Sequence, residues 1–163
     1  MAVVHLRIDN RLIHGQVTVS WVNLVGANHI ICTNDDVAND PIQKMILPQA
    51  ARGIKTSVLS IAETVEYVKS EKSQAEKILL IAKFPSDALA LLEAGVQPQE
   101  VNVGNQAPIP GTKHVLVTRS VAVTAEQAPV YRAIAEKVGR LTAQTMVSNR
   151  KQDFLELLDK SGL

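Results

Sequence analysis

Short aliphatic runs alternate with longer amphipathic stretches along the chain, and this rhythm predicts its elements. Val3–Ile8 reads as a first strand, followed by the polar stretch Asp9–His14. Gly15–Val25 fits two patterns, because Val17, Trp21, Leu24 and Val25 share a helical face while Val17, Val19 and Trp21 also alternate. Its length and its place after a strand predict a helix. His29–Thr33 reads as the second strand. Asn39 as N-cap, with Pro41 in the first turn, predicts a helix to about Ala50 whose last turn Pro48 weakens. Ile54–Leu59 is a third strand, and Ser60 with Glu63 forms a capping-box pattern opening a helix to about Val68.

The second half continues the alternation. Lys77–Ala82 is a fourth strand, and Pro85–Ala94 a short helix stopped by Gly95. Glu100–Val103 is a brief strand leading into Gly104, and Gln106–Lys113 is a loop punctuated by Pro108, Pro110 and Gly111. Val115–Val117 and Ser120–Val123 are short strands. Thr124 with Gln127 opens a helix that Gly139 ends. Leu141–Val147 is a last strand and Asp153–Leu158 a C-terminal helix. Strands and helices at this spacing predict βαβ units. The expected fold is α/β: one domain over residues 1–163, a mostly parallel open β-sheet with helices on both faces.

Composition narrows the class. A chain of 163 residues can bury roughly 70% of its unfolded surface, enough for a core without disulfides or metals. Aromatics are only 3%, with Trp21 the single tryptophan, so that core must be aliphatic. Seventeen basic and sixteen acidic residues leave a formal charge of +1, too balanced for a general nucleic-acid or membrane-surface binder. Cys32 alone excludes an internal disulfide framework and any multi-cysteine zinc site. Arg7, Asp9 and Arg11 interrupt the first apolar stretch, so no signal peptide is read there. No apolar run approaches the ~20 residues of a membrane span, and a cytoplasmic protein is expected.

Open parallel sheets bind ligands beyond the carboxyl ends of their strands. Of the loops at that edge, Asp9–Asn10–Arg11–Leu12–Ile13–His14–Gly15–Gln16 is the most unusual. It places an acid, an arginine and a histidine in six residues, with Arg7 just upstream. A neutral imidazole is nucleophilic near neutral pH and can accept and release a group. If that group is phosphoryl, Arg11 offers a planar fork for its oxygens and the first N–H groups of the following helix offer more donors. Gly15 admits close approach of the backbone, and Asp9 could hold Arg11 or the ring in place. The residues alone leave an alternative, since a lone loop histidine is commonly a surface or helix-capping residue.

The run Arg7–Ile8–Asp9–Asn10–Arg11–Leu12–Ile13–His14–Gly15–Gln16–Val17 resembles the active-site signature of the IIB components of mannose/fructose/sorbose-family sugar phosphotransferase systems. The similarity continues through Trp21, Gly26–Asn28, Asn34–Asp40 and Val101–Asn105, in the family's order, over roughly the first two thirds of the chain. The resemblance implies that His14 takes phosphate from a phosphohistidine on the IIA component. It would deliver it to a sugar at the membrane IIC and IID components, working at the inner face of the membrane through that permease. Arg11 would bind the phosphoryl group, Asp9 and Arg7 would support the loop, and Gly15 and Gln16 would belong to the same site. Asn102, Gly104 and Asn105 would line the same sheet edge. No metal and no cofactor are expected, because phosphoryl transfer rests mostly on positioning and electrostatics.

Other residues are weighed against this. Cys32, inside the apolar Ile30–Ile31 run, reads as an inert core thiol. His5 and His29 lie in strands and read as structural, and His114 as exposed beside the Pro/Gly loop. The four histidines lack zinc-helix spacing. Asp35 and Asp36 lack the further ligands of a calcium loop and read as shaping the loop after the second strand. Two other functions stay open: a non-catalytic binding or regulatory module, and a hydrolase with His14 as base, which lacks an evident nucleophile elbow.

Overall fold

The computed structural model describes residues 2–163. Its strands are β1 Val3–Asp9, β2 His29–Thr33, β3 Lys55–Leu59, β4 Ile78–Ala82, β5 Val101–Asn105, β6 His114–Thr118, β7 Val121–Thr124, β8 Thr142–Ala143 and β9 Gln152–Asp153. Its helices are α1 Gly15–Val25, α2 Asp35–Ala38, α3 Pro41–Ala50, α4 Ile61–Lys69, α5 Pro85–Glu93, α6 Ala128–Val138 and α7 Phe154–Lys160, with a 3-10 turn at Glu71–Ser73. Seven strands form one sheet in the order β3-β2-β4-β1-β5-β8-β9. All neighbours are parallel except β8 and β9. Strands β6 and β7 make a separate antiparallel hairpin.

Strand residues alternate between faces, and both faces are covered. On one, Leu6, Ile8, Ile31 and Leu80 pack with Leu91 of α5, Tyr131 and Ile134 of α6, and Phe154 and Leu158 of α7. On the other, Ile30, Cys32, Leu79 and Ile81 pack with Trp21 and Val22 of α1 and with Val37 of α2. Each such aliphatic side chain contributes about 1.5–3 kcal/mol on leaving water. Strand β1 is central, between β4 and β5. It gives Leu6 and Ile8 to the first face. Its other face carries His5, Arg7 and Asp9, all 2% exposed or less.

The ambiguous stretch Gly15–Val25 is a helix, closed by Gly26 in a left-handed conformation at φ 69°. Asn34, not Asn39, is the first cap after β2: its side chain accepts the Val37 N–H and opens the short helix α2, which the sequence reading lacks. Asp40 then caps α3 by accepting from Ile42 and Gln43, so the predicted cap falls one residue early. The expected last strand, Leu141–Val147, shrinks to β8, because Gln144 and the residues after it leave the ladder to supply carbonyls to the sheet's polar face. Thr124 and Gln127 do bond reciprocally, with the helix beginning after them.

Candidate functional site

The loop after β1 is shaped by Asp9. Its carboxylate accepts the Arg11 backbone N–H at 3.0 Å and grips the Arg11 guanidinium twice, from Nε at 3.0 Å and Nη2 at 2.8 Å. It also accepts Arg7 Nε at 3.3 Å. The chain then turns through Leu12 at φ 62°, a left-handed conformation costly for a branched side chain. Burial of Leu12 and Ile13 in the core beside Trp21 offsets that cost. Gly15 follows at φ 49°, where glycine carries no such penalty.

His14 stands at the N-cap of α1 and is exposed. Its backbone N–H donates to the buried Thr18 hydroxyl at 2.7 Å, and its carbonyl accepts the Val17 N–H at 3.2 Å. No acidic residue lies in the first turn of α1, so its free N–H groups and dipole face outward uncompensated. Arg11 is the neighbouring cation, with 24% of its side chain exposed. Its bidentate grip on Asp9 fixes the plane of the fork. One nucleophile-capable ring, one squared-up guanidinium and a helix N-terminus are thus presented by a single short stretch of chain, Arg11 to the first turn of α1. A cleft of about 740 Å³ lies at the other edge, by the amino end of β5 and lined by Val96, Glu100 and Lys137.

Below the loop lies a buried polar layer. Arg7 donates from Nη1 to the Gln144 carbonyl at 2.9 Å and from Nη2 to the Thr145 carbonyl at 2.7 Å, while Trp21 lies 4.5 Å from its guanidinium carbon. Trp21 Nε1 donates to the same Thr145 carbonyl at 3.1 Å. Burial lowers the Arg7 pKa to about 10, with Asp9 opposing that shift. His5 bonds Asn102 at 2.8 Å, and Asn102 donates to the Gln144 carbonyl at 2.9 Å. Burial pushes the His5 imidazole below its ordinary pKa. A Cβ on Gly104 would overlap the Arg7 guanidinium, so that glycine is there for space.

The expected site residues therefore divide into two levels. Arg11, His14, Gly15 and Gln16 lie at least partly exposed on the loop and the first turn of α1. Arg7, Asp9, Asn102 and Gly104 are buried, with Arg7 committed to backbone carbonyls, so their place is beneath the loop. Asn105 joins from the side: its backbone carbonyl accepts the Asn10 N–H at 3.1 Å, and Asn10 also pairs with Ala107 in both directions. Cys32 is fully buried, which raises its pKa to about 12. His29 is buried between Ser57 and Glu76, at 2.8 and 2.9 Å, and His114 is exposed. Asp35 lies in the first turn of α2 and accepts the Ile61 N–H at 2.9 Å.

Sequence reasoning missed four contributors. Thr18, an ordinary helix threonine by pattern, anchors His14 from one turn on. Gln144 and Thr145 act through their carbonyls, which no side-chain pattern records. Arg52, in the turn between α3 and β3, donates from Nη1 to Gln16 Oε1 at 3.0 Å.

Comparison with known proteins agrees on one family. The family described as "PTS system sorbose subfamily IIB component" matches residues 3–163. The chain is 31% identical over 159 residues to the fructose-specific EIIB component of Bacillus subtilis, covering 97% of this chain and 96% of that protein. The crystal structure of the IIBSor domain of the sorbose permease from Klebsiella pneumoniae superposes with a TM-score of 0.90 at 32% identity, covering 99% of this chain and 98% of that one. The mannose-specific EIIAB component of Escherichia coli K12 is 30% identical over 155 residues, which are 94% of this chain and 47% of that protein.

Proposed function

The chain belongs to the sorbose-subfamily IIB components of sugar phosphotransferase systems, phosphoryl carriers in sugar uptake, and from that premise we propose that His14 is the carrier residue. IIB components work with a IIA component and membrane IIC and IID components. The observation that carries the proposal is the exposed His14 at the front of α1, three residues after Arg11, whose guanidinium Asp9 holds in a fixed plane.

In the loading step, a ring nitrogen of His14 attacks the phosphorus of a phosphohistidine on the IIA component. A new N–P bond forms, the donor N–P bond breaks, and its electron pair returns to the donor ring. The proton that leaves the other nitrogen of His14 is matched by one taken up by the donor imidazole. In the delivery step a sugar hydroxyl oxygen attacks the same phosphorus, the His14 N–P bond breaks, and the hydroxyl proton ends on the freed ring. Little covalent chemistry is asked of the surroundings. Arg11 spreads charge from the equatorial oxygens, the N–H groups of α1 add donors, and Asp9 keeps Arg11 from wandering. The open surface suits a residue that must reach two different proteins. The E. coli mannose relative, whose name joins A and B components, supports a IIA donor for this chain.

The test supplies phosphorylated IIA component and follows label onto the chain. Wild type should take up a label that is lost in acid and retained in alkali, and His14→Ala should take up none. Equal labelling of His14→Ala would overturn the assignment.

A further inference from the structure

Arg52 is placed where a cation is least expected. It sits in the turn after α3 with φ 52°, a left-handed conformation that costs a non-glycine residue about 1 kcal/mol. Glycine or asparagine would be easier there. Its side chain reaches to the front of α1, where Nη2 comes within 3.8 Å of the position a Gly15 Cβ would occupy. The positive end of a helix repels a cation by about 0.3–1 kcal/mol. No carboxylate balances it: Arg52 is in no ion pair among the described residues, and the first turn of α1 has no acid. Its hydrogen bond goes to the neutral amide oxygen of Gln16, an exposed contact that adds little to stability.

Arg11 differs. Asp9 neutralises it and holds it within the loop that leads into His14. Arg52 comes from a separate element to the two residues that follow His14, Gly15 and Gln16. We propose that Arg52 is a second phosphoryl-binding residue, which exchanges its bond to Gln16 for the oxygens of the phosphoryl group on His14. The inference rests on the reading of His14 as the carrier. The arriving group supplies the negative charge that Arg52 and the α1 dipole lack. Gln16 parks the guanidinium meanwhile. Arg52 makes and breaks no covalent bond: it binds oxygens that stay on phosphorus throughout.

An exposed arginine beside a reactive loop could instead only dock the protein donor, so the test uses a donor with no protein. Phosphoramidate phosphorylates histidine directly. Wild type, His14→Ala, Arg52→Ala and Arg52→Lys are treated with it, and label uptake and loss are timed. Arg52→Ala should load about tenfold more slowly, or lose label about tenfold faster, with Arg52→Lys between it and wild type. Thermal melting should be unchanged, because Arg52 is exposed. In nitrogen-15-labelled protein the Arg52 Nε–H signal should move on phosphorylation. The inference is overturned if Arg52→Ala loads and loses label within twofold of wild type, or is slow only with the IIA donor. Label is read at His14 by peptide mapping that separates it from the exposed His114, and equal labelling of wild type and His14→Ala by the IIA donor would overturn the underlying reading separately.

Discussion

Gly104→Ala adds one methyl group to β5, and the structure makes that methyl costly. The backbone does not demand glycine, since Gly104 is outside the left-handed region; the space does. The nearest atoms to the new Cβ would be Cζ, Nη1 and Nη2 of Arg7, all inside 3.0 Å. A flexible side-chain end could move aside cheaply. Arg7 cannot, because its head is pinned to the Gln144 and Thr145 carbonyls and stacked on Trp21. Hydrogen bonds to a charged group are worth about 1.5–3 kcal/mol each, so displacing two, with partial relaxation, should cost about 3 kcal/mol. At a urea slope of about 2 kcal/mol per molar, the unfolding midpoint should fall by about 1.5 M. The same methyl in an Arg7→Met background meets no guanidinium and should cost under about 1 kcal/mol, a coupling that a double-mutant cycle reads directly. A Gly104→Ala cost below about 1 kcal/mol, or an equal cost in both backgrounds, would refute the account of Arg7 as the fixed support of the loop.

Other outcomes follow from the same layer. Asp9→Asn should destabilise the fold by about 3–5 kcal/mol in urea unfolding, since it leaves Arg7 buried without its carboxylate. Arg11→Ala removes a partly exposed pair and should change stability by no more than about 1 kcal/mol while slowing phosphoryl transfer, which label-uptake rates would show. Cys32 should ignore a thiol reagent in the native protein and react on unfolding, because burial raises its pKa to about 12. Burial also holds His5 and His29 below the ordinary imidazole pKa, with Glu100 and Glu76 respectively opposing. The unfolded chain then binds more protons as pH falls through about 6.5, so stability present above that pH is lost below it. The urea midpoint should be lower at about pH 5.5 than at about pH 7.5, and an unchanged or higher midpoint would contradict this.

Much of the fold was legible because its strands are short, nearly continuous aliphatic runs between clear helix signals. Gly95 and Gly139 follow helices as their positions suggested, and Gly26 closes α1 in the same way. The short helix α2 was not legible, because four residues carry no periodicity, and the cap of α3 proves to be Asp40, next to the expected Asn39. The stretch after Ala143 was misread as strand because Thr145 and Val147 have strand character, whereas the tertiary bonds of Arg7 and Asn102 claim its carbonyls. At the site, the local run around His14 could be read because its residues lie close in sequence. Arg52 lies 36 positions from Gln16, and nothing between them marks the contact. The burial of Arg7 was equally hidden, since an arginine two residues before an aspartate looks the same at the surface as beneath it.

Trp21 gives the molecule an internal reporter. It is the single tryptophan in the chain, its indole N–H is bonded to Thr145 and its ring is faced by the Arg7 cation. A fluorophore so placed senses the Arg7 cation and the Thr145 carbonyl of the buried polar layer beneath the loop. Its emission is therefore a label-free optical readout of that buried layer, and Gly104→Ala, which displaces the Arg7 head, should shift it in the folded chain.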